Sequence, residues 1–106
     1  MQIRELALTE LLSAYDIVKQ LYPQMSYDEF EDLIYDMRDM NYKMIGIFED
    51  NEIVAYAGVA ICTTLLYKRH LRVFEFIADT TYKPTLQEYL KDYAKIGMCE
   101  EVIYKE

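Results

Sequence analysis

The stretch that decides the fold runs from Arg69 to Lys105 and reads RHLRVFEFIADTTYKPTLQEYLKDYAKIGMCEEVIYK. Within it, His70 to Ala78 is rich in branched and aromatic residues and predicts a long strand. After a turn, apolar residues recur at helical spacing, and they are Leu86, Leu90, Tyr93 and Ala94. Pro84 suits the first turn of this helix, and Gly97 suits its C′ position. The stretch therefore predicts a strand, a turn, an amphipathic helix and, over Glu101 to Lys105, a short second strand.

Upstream of this stretch, the sequence predicts one strand followed by two helices. Ile3 to Leu8 forms the strand, and Thr9 offers an N-cap oxygen to the first helix. Pro23 ends that helix, whose apolar face comprises Leu11, Tyr15, Val18 and Tyr22. The second helix begins with the S-x-x-E capping box formed by Ser26 and Glu29.

Two more strands are predicted between the second helix and Arg69. Tyr42 to Phe48 is the first, and Asp50-Asn51 tolerates positive φ and suits a two-residue hairpin turn. Ile53 to Thr64 is apolar on both faces, which predicts a central strand covered on each side. Gly58 within this strand indicates a bulge, a close backbone approach or simple packing tolerance. The element order is therefore β-α-α-β-β-β-α-β, an α/β (α+β) domain with a mixed, mainly antiparallel sheet flanked by helices.

Length and composition predict a single domain. The chain has 106 residues, of which 53% are hydrophobic, and this is enough for one core. It contains no apolar run of the roughly 18 residues that a membrane span requires, so we expect no membrane association. The start, MQIRELALTE, carries acidic residues and has the pattern of neither a secretory signal nor a transit peptide. We therefore expect a cytoplasmic protein.

Negative charge is concentrated in one segment. From Asp28 to Glu52 there are nine acidic residues against Arg38 and Lys43, and the net charge of the whole chain is −8. This sign disfavours nucleic acid as a partner, because phosphate binding needs basic residues. The acidic run is either a solvated helix face or an electrostatic guide for a cationic partner.

The cysteine and histidine residues predict neither a disulfide nor a metal site. Cys62 and Cys99 are far apart and lack a C-x-x-C partner, which favours free thiols. His70, the only histidine, has no close acidic or thiol companion, and we expect it at the surface where its strand begins. Most of the eleven tyrosines fall on apolar stripes or strand ends. The tyrosines that remain as candidates for a pocket wall are Tyr27, Tyr35 and Tyr82.

The order of elements, together with the segments HLRVFEFIAD and LQEYLKDYAKIGMCEEVIY, resembles the GNAT superfamily of N-acetyltransferases. The resemblance extends over essentially the whole chain. It implies a GNAT-like fold, acetyl-CoA as the cofactor and, with the acidic second helix, a cationic amine as the acceptor. An unrelated α+β domain is the alternative.

The resemblance breaks in the turn before the last helix. GNAT enzymes place there a Q/R-x-x-G-x-G/A loop, whose backbone N–H groups bind the pyrophosphate of acetyl-CoA at the start of the helix. Here the turn from Asp79 to Thr85 is several residues shorter and has no glycine, and Pro84 removes one donor. We therefore expect weakened acetyl-CoA binding, with Lys83 and Thr85 as the candidate phosphate contacts.

Within the same resemblance, Glu75 stands at the strand position where some members keep a carboxylate base. By strand alternation it shares a face with Leu71, Val73 and Ile77. The alternative is a structural acid paired with Arg72 or Lys68. The backbone groups of Phe76 and Ile77 match the place where GNAT enzymes pair with the pantetheine arm, so these two residues are further candidates for cofactor binding.

GNAT enzymes usually continue past the strand that matches Glu101 to Lys105 with a helix and two more strands. That helix often carries the tyrosine that protonates the leaving CoA thiolate. Without these elements the last strand is expected to form an open edge, which a homodimer through this strand would cover. Two functions follow: a dimeric binding module with weakened or lost acetyl transfer, or a minimal N-acetyltransferase that acts on a cationic amine.

Overall fold

The computed structural model describes residues 1–104 and contains one five-stranded sheet with three α-helices. The strands are β1 (Gln2–Glu5), β2 (Lys43–Glu49), β3 (Glu52–Thr64), β4 (Lys68–Ile77) and β5 (Val102–Tyr104). The helices are α1 (Leu11–Val18), α2 (Tyr27–Met37) and α3 (Lys83–Ile96), with short 3₁₀ turns at Leu8–Glu10 and Arg38–Met40. The predicted order of strands and helices and the mixed α+β class are confirmed. The last residue of the predicted closing strand, Lys105, lies outside the described part of the chain.

The sheet has the order β1-β2-β3-β4-β5, and neighbouring strands are antiparallel except for the parallel pair β4 and β5. β3 lies in the centre and is buried along its middle, as predicted. Asp50 and Asn51 have φ of 51° and 67°, so the two-residue hairpin between β2 and β3 is confirmed as well. The crossover through α3 makes the last pair parallel.

The helices cover both faces of the sheet and divide the core into two layers. α1 and α2 pack on one face, around Phe30, Ile34 and the buried ring of Tyr56. α3 packs on the other face, where Leu86 and Leu90 contact the β-strand core. Burying apolar residues on both faces explains why β3 reads as a continuous apolar run.

The first helix begins and ends differently from the prediction. Thr9 lies inside the 3₁₀ turn, and the carboxylate of Glu10 accepts the Ala7 N–H at 2.9 Å instead. Glu10 also pairs with Arg4 at 2.7 Å, an ion pair that holds the carboxylate over this turn and lowers its pKa. The helix ends at Val18, so Tyr22 lies beyond it and not on its apolar face. In α2, by contrast, Ser26 caps the helix as predicted, since its Oγ accepts the Glu29 N–H at 3.1 Å.

The helix α3 ends in a way that the sequence did not predict. Gly97 has φ of −80°, and the left-handed residue is Met98, with φ of 61°. A Cβ at Gly97 would lie 2.7 Å from the Cδ1 of Ile61, so a glycine is needed here for close packing and not for positive φ.

His70 is buried, and its expected surface position is wrong. β4 begins two residues before His70, so the residue lies within the strand, opposite Cys62. Its Nδ1 is 2.9 Å from the Lys68 carbonyl oxygen, and its ring is 5.3 Å from that of Tyr67. Its Nε2 is buried and has no hydrogen-bond partner in the described part of the chain. The cysteines, as expected, are free thiols.

Candidate functional site

A β-bulge in β4 organises the candidate site. Val73 pairs with Val59, and Glu75 pairs with Gly58, so Phe74 is the extra residue on β4. The bulge interrupts the alternation of side chains, because an inserted residue shifts the strand's faces. Leu71 and Val73 pack towards α3, whereas Phe74 and Ile77 pack towards α1 and α2. The predicted common face of Glu75 with Ile77 is therefore confirmed, whereas the predicted common face with Leu71 and Val73 is wrong.

Glu75 is half-buried and takes part in a hydrogen-bonded chain with two tyrosines. The Tyr42 hydroxyl donates to Glu75 Oε1, and the Tyr56 hydroxyl lies 2.8 Å from that of Tyr42. Since a phenol has one proton to donate and Tyr42 gives its proton to the carboxylate, Tyr56 donates to Tyr42. Burial raises the pKa of both phenols, and the neighbouring Glu75 charge raises them further. The tyrosines therefore stay protonated, and Tyr42 donates its hydrogen bond to the carboxyl group of Glu75.

Gly58 makes room for this hydrogen-bonded chain. A Cβ at this position would collide with the Tyr42 hydroxyl and with Glu75 Oε1. The sequence associated Gly58 with a bulge or a close approach, and both are present. Gly58 lies opposite the bulge in β4, and its lack of a Cβ leaves space above its backbone. The space is filled by the hydroxyl of Tyr42, the residue before β2, and by the carboxylate of Glu75 on β4.

Two cavities meet at Glu75. The larger, of about 250 Å³, opens along β4 and is lined by Leu21, Tyr22, Val73, Phe74, Glu75, Phe76 and Tyr104. The smaller, of about 50 Å³, lies under α1 and α2 and includes Tyr42 and Glu75 in its wall. The carboxylate of Glu75 thus borders the two spaces on the α1/α2 side of the sheet.

The larger cavity lies where β4 loses a neighbouring strand. β5 pairs with Leu71, Arg72 and Val73, and beyond the bulge the described residues give β4 a partner on the β3 side alone. Phe76 lines the cavity at this open edge and contacts the Tyr104 ring, with the centroids 5.6 Å apart. Ile77 packs instead against the core under α1 and α2.

The turn before α3 uses its own backbone donors. The Asp79 carboxylate accepts the N–H groups of Thr81 at 2.9 Å and of Tyr82 at 3.3 Å. The Asp79 carbonyl oxygen accepts the N–H groups of Tyr82 at 3.1 Å and of Lys83 at 2.9 Å. Pro84, in the first turn of α3, has no N–H. An aspartate side chain therefore lies where the turn's amides converge.

The other candidates for cofactor binding lie away from Glu75. Lys83 is the first residue of α3 and is exposed, and Thr85 is half-buried in the same turn. Neither residue lines the cavity beside Glu75. Their predicted role in binding phosphate stays a prediction, as does that of the Phe76 and Ile77 backbone groups.

The tyrosines of the site differ from the ones singled out in the sequence. Tyr27 packs edge-on against Tyr15, Tyr35 stacks with Arg38, and Tyr82 donates a hydrogen bond to Glu49. The residues that surround Glu75 are Tyr22, Tyr42 and Tyr56. In the sequence, Gly58 indicated that other groups approach the backbone here. Which groups these are depends on the register of β3 against β4.

Comparison with known proteins shows the fold. No family model matches the sequence, and a search of curated proteins finds no relative. Among solved structures, a GNAT family acetyltransferase from Staphylococcus aureus superposes with a TM-score of 0.82 at 11% identity, over 99% of this chain and 85% of its own. Glucosamine-6-phosphate N-acetyltransferase from Arabidopsis thaliana gives 0.75 at 19% identity, over 99% and 81%. An aminoglycoside N-acetyltransferase in complex with CoA gives 0.78 at 14% identity, over 99% and 76%. The protein has the GNAT acetyltransferase fold.

The turn before α3 does not fit the diphosphate of CoA. Binding of a diphosphate at a helix N-terminus requires free backbone N–H groups and no competing anion. The N–H groups of Thr81, Tyr82 and Lys83 are bonded to Asp79, and its carboxylate contributes negative charge at the same place. The described residues contain no group of three or more His, Cys, Asp or Glu side chains arranged to hold a metal ion. Within the described residues, no helix is long and apolar enough to cross a membrane.

Proposed function

We propose that the protein is a binding module built on the GNAT fold, with weakened or lost acetyl-CoA-dependent transfer. One observation carries the proposal, namely the carboxylate of Asp79 bonded to the amides of Thr81 and Tyr82 at the start of α3. Those amides are the donors that a diphosphate would need at this position of the fold. An internal acid that takes them competes with any bound anion and repels it.

The cavity beside Glu75 supports the binding part of the proposal. It is lined by apolar and aromatic side chains with one carboxylate, which is the usual composition of a small-molecule site. The acidic surface of α2 would raise the local concentration of a cationic ligand. The structure therefore supports ligand binding by a site that does not require the diphosphate of CoA.

Calorimetric titration with CoA tests this function. We expect no saturable heat and no rise in Tm with CoA up to millimolar concentration, because a ligand that binds only the native state must stabilise it. Saturable CoA binding in the micromolar range, together with release of free thiol from acetyl-CoA in the presence of a polyamine, would overturn the proposal.

A second function is supported by the position of Glu75. In a minimal N-acetyltransferase acting on a cationic amine, Glu75 would take a proton from the ammonium group of the acceptor. Its half-buried carboxylate at the edge of a cavity is suited to that role. Under this alternative, Glu75→Gln would lower turnover by roughly a hundredfold or more. Unchanged turnover in the variant would exclude Glu75 as the base.

We also propose a homodimer that forms through β5. Within the described residues β5 has one neighbouring strand, β4, so its outer edge offers backbone groups to a second copy. A groove of about 670 Å³ runs between α3 and this strand and contains both Lys91 and Lys95 as well as Glu100 and Glu101. Charges of both signs on one surface suit a two-fold interface, in which each patch faces its own copy.

A further inference from the structure

The four most exposed large apolar side chains of the described residues belong to two neighbouring turns. Leu65 and Leu66, which are 103% and 76% exposed, lie in the turn between β3 and β4. Ile96 and Met98, which are 85% and 81% exposed, lie at the C-terminal end of α3. Large apolar side chains that are exposed together mark a contact surface, and these four residues are called the apolar tip below.

Hydrogen bonds hold the two turns side by side. The Arg69 carbonyl oxygen accepts the Glu100 N–H at 2.8 Å, and Arg69 Nε donates to the Gly97 carbonyl oxygen at 2.8 Å. The turn after α3 is also closed by its own bond, from the Met98 N–H to the Lys95 carbonyl oxygen at 3.0 Å. The apolar tip is therefore carried by backbone that is already ordered, and a partner can bind it without a folding step.

The charge around the apolar tip is positive, unlike that of the chain as a whole. The two segments that carry the tip, 64–70 and 95–100, contain three basic residues and one acid, a net charge of +2 against −8 for the chain. The basic residues are Lys68, Arg69 and Lys95, and the acid is Glu100.

The main acidic surfaces lie elsewhere on the molecule. The acidic β2–β3 hairpin is at the opposite end of β3, a strand of 13 residues, and α2 packs on the face of the sheet opposite α3. Charges in water that are separated by more than roughly 8 Å are largely screened at physiological ionic strength. The apolar tip therefore presents a locally cationic surface.

Shape and charge together favour a lipid surface over a protein partner. The four residues of the tip line neither the groove along α3 nor the cavities beside Glu75, and their exposure shows that they project into solvent. A protein partner must supply a hollow that matches projecting side chains, whereas lipid chains rearrange around them. Lysine and arginine next to inserted apolar residues suit anionic head groups, because their charged ends remain in water while their stems lie along apolar surface.

We propose that the apolar tip docks on a membrane surface that carries anionic lipids. Leu65 and Leu66 enter the head-group region, and Lys68, Arg69 and Lys95 contact the lipid phosphates. The expectation of no membrane association rested on the lack of a membrane span, which surface attachment does not require. The proposal depends neither on CoA nor on the cavity beside Glu75.

Flotation of the full chain with lipid vesicles tests the proposal. Vesicles of phosphatidylcholine alone are compared with vesicles that contain about 30% phosphatidylserine. We expect at least about fivefold more binding to the anionic vesicles, and a decline when the ionic strength rises from about 0.1 M to about 1 M, because salt screens the basic residues. No binding to the anionic vesicles, or equal binding to both kinds, would overturn the proposal.

Variants assign the binding to the apolar tip. Leu66→Ser should weaken binding by roughly tenfold, because one leucine no longer leaves water. Leu12→Ser, on α1 and 61% exposed, is the control and should bind as wild type does. Lys68→Asn removes one charge, and asparagine tolerates the φ of 58° at this position, so binding should weaken by about fivefold. Lys19→Asn, at an exposed position, should leave it unchanged. Wild-type binding by both Leu66→Ser and Lys68→Asn would refute the assignment to the tip and with it the proposal.

A tryptophan reporter shows whether the apolar tip enters the lipid. The chain contains no tryptophan, so Leu66→Trp introduces a single fluorophore. We expect its emission to shift to shorter wavelength with anionic vesicles, and that of Leu12→Trp to stay constant, because only the first ring leaves water. Equal behaviour of the two variants would contradict the proposal. If wild type binds no vesicles and Leu66→Ser instead changes its sedimentation, the tip is a contact between copies of the chain and the proposal is wrong.

Discussion

At the scale of single residues, Gly58 decides whether Tyr42 and Glu75 can meet. The space above its backbone is filled by the hydroxyl of Tyr42, the residue before β2, and by the carboxylate of Glu75 on β4. The hydrogen bond between them is shielded, because Tyr42 is 8% exposed and Tyr56 is fully buried. In such surroundings a satisfied polar network is rigid, and an unsatisfied one is destabilising.

Gly58→Ala is therefore expected to lower the free energy of unfolding by roughly 1–3 kcal/mol, the usual range for overpacking a core. The methyl group must displace either the Tyr42 hydroxyl or the Glu75 carboxylate. Urea denaturation measures the loss. In a Tyr42→Phe background, part of the obstruction is gone, so the double variant should lose less than the sum of the two single variants. Additive losses would show that Gly58 has no part in placing these groups.

The buried phenols predict a dependence of stability on alkaline pH. Below pH 10, the ordinary pKa of tyrosine, Tyr42 and Tyr56 are protonated in both folded and unfolded chains. Above it, the unfolded phenols ionise while the folded ones keep their protons, because burial raises their pKa. The folded state then binds more protons, so the free energy of unfolding falls with pH, by up to about 1.4 kcal/mol per pH unit for each phenol.

Denaturation between pH 9 and 11 measures this slope. Tyr56→Phe removes one buried phenol and should make the decline shallower by up to about 1.4 kcal/mol per pH unit. Tyr35→Phe, at an exposed position on α2, is the control and should leave the slope unchanged. An identical slope in wild type and Tyr56→Phe would contradict the protonated chain of hydroxyls at Glu75.

At the scale of elements, the Asp79 side chain determines which backbone N–H groups are free at the start of α3. The N-terminal amides of a helix are unsatisfied and carry partial positive charge, which makes them a site for anions. The Asp79 carboxylate accepts the N–H groups of Thr81 and Tyr82 in the turn that leads into α3, and the Asp79 carbonyl oxygen accepts the N–H of Lys83, the first residue of the helix. Pro84 then extends the helix with φ already suited to it. The same hydrogen bonds stabilise the turn before α3 and support the proposed weakening of anion binding.

Asp79→Ala is expected to destabilise the protein by about 1 kcal/mol, because it removes the side-chain acceptor of the Thr81 and Tyr82 N–H groups. Asp79→Asn keeps an acceptor oxygen and should lose only a few tenths, through the weaker interaction with the helix dipole. Asp92→Ala, at an exposed site on the same helix, is the control and should stay within about 0.5 kcal/mol of wild type. Thermal and urea denaturation give the three values. If Asp79→Ala has the stability of wild type, the hydrogen bonds from Thr81 and Tyr82 to Asp79 contribute nothing to stability.

The sequence predicted elements with strong local signals and missed features that depend on register. The N-cap at Ser26 and the Asp50-Asn51 turn are local, and both were predicted correctly. The bulge at Phe74 depends on how β3 and β4 pair, which no short-range pattern reports. Alternation therefore placed Glu75 on one face with Leu71 and Val73, whereas beyond the bulge it shares a face with Ile77. His70 was placed at the surface because the start of its strand was set two residues too late.

At the scale of the whole molecule, the two edges of the sheet differ. β1 is short and pairs with β2, whereas β5 lies beside a groove that carries lysine and glutamate side chains. The overall charge of −8 opposes association in general, so a dimer requires a surface on which local charges are balanced. The surface formed by α3 and β5 meets that requirement, while the acidic face of α2 does not.

Sedimentation velocity over a range of protein concentrations tests the dimer. We expect a dimer at micromolar concentration and a shift towards monomer in Tyr104→Lys, since a lysine on an edge strand opposes pairing with another strand. Tyr104 is 40% exposed, so the substitution leaves most of the core intact. Tyr35→Lys, on α2 and 46% exposed, makes the same change away from the edge and should remain dimeric. A monomeric wild-type protein, or equal behaviour of the two variants, would exclude β5 as the interface and leave its edge without a partner in solution.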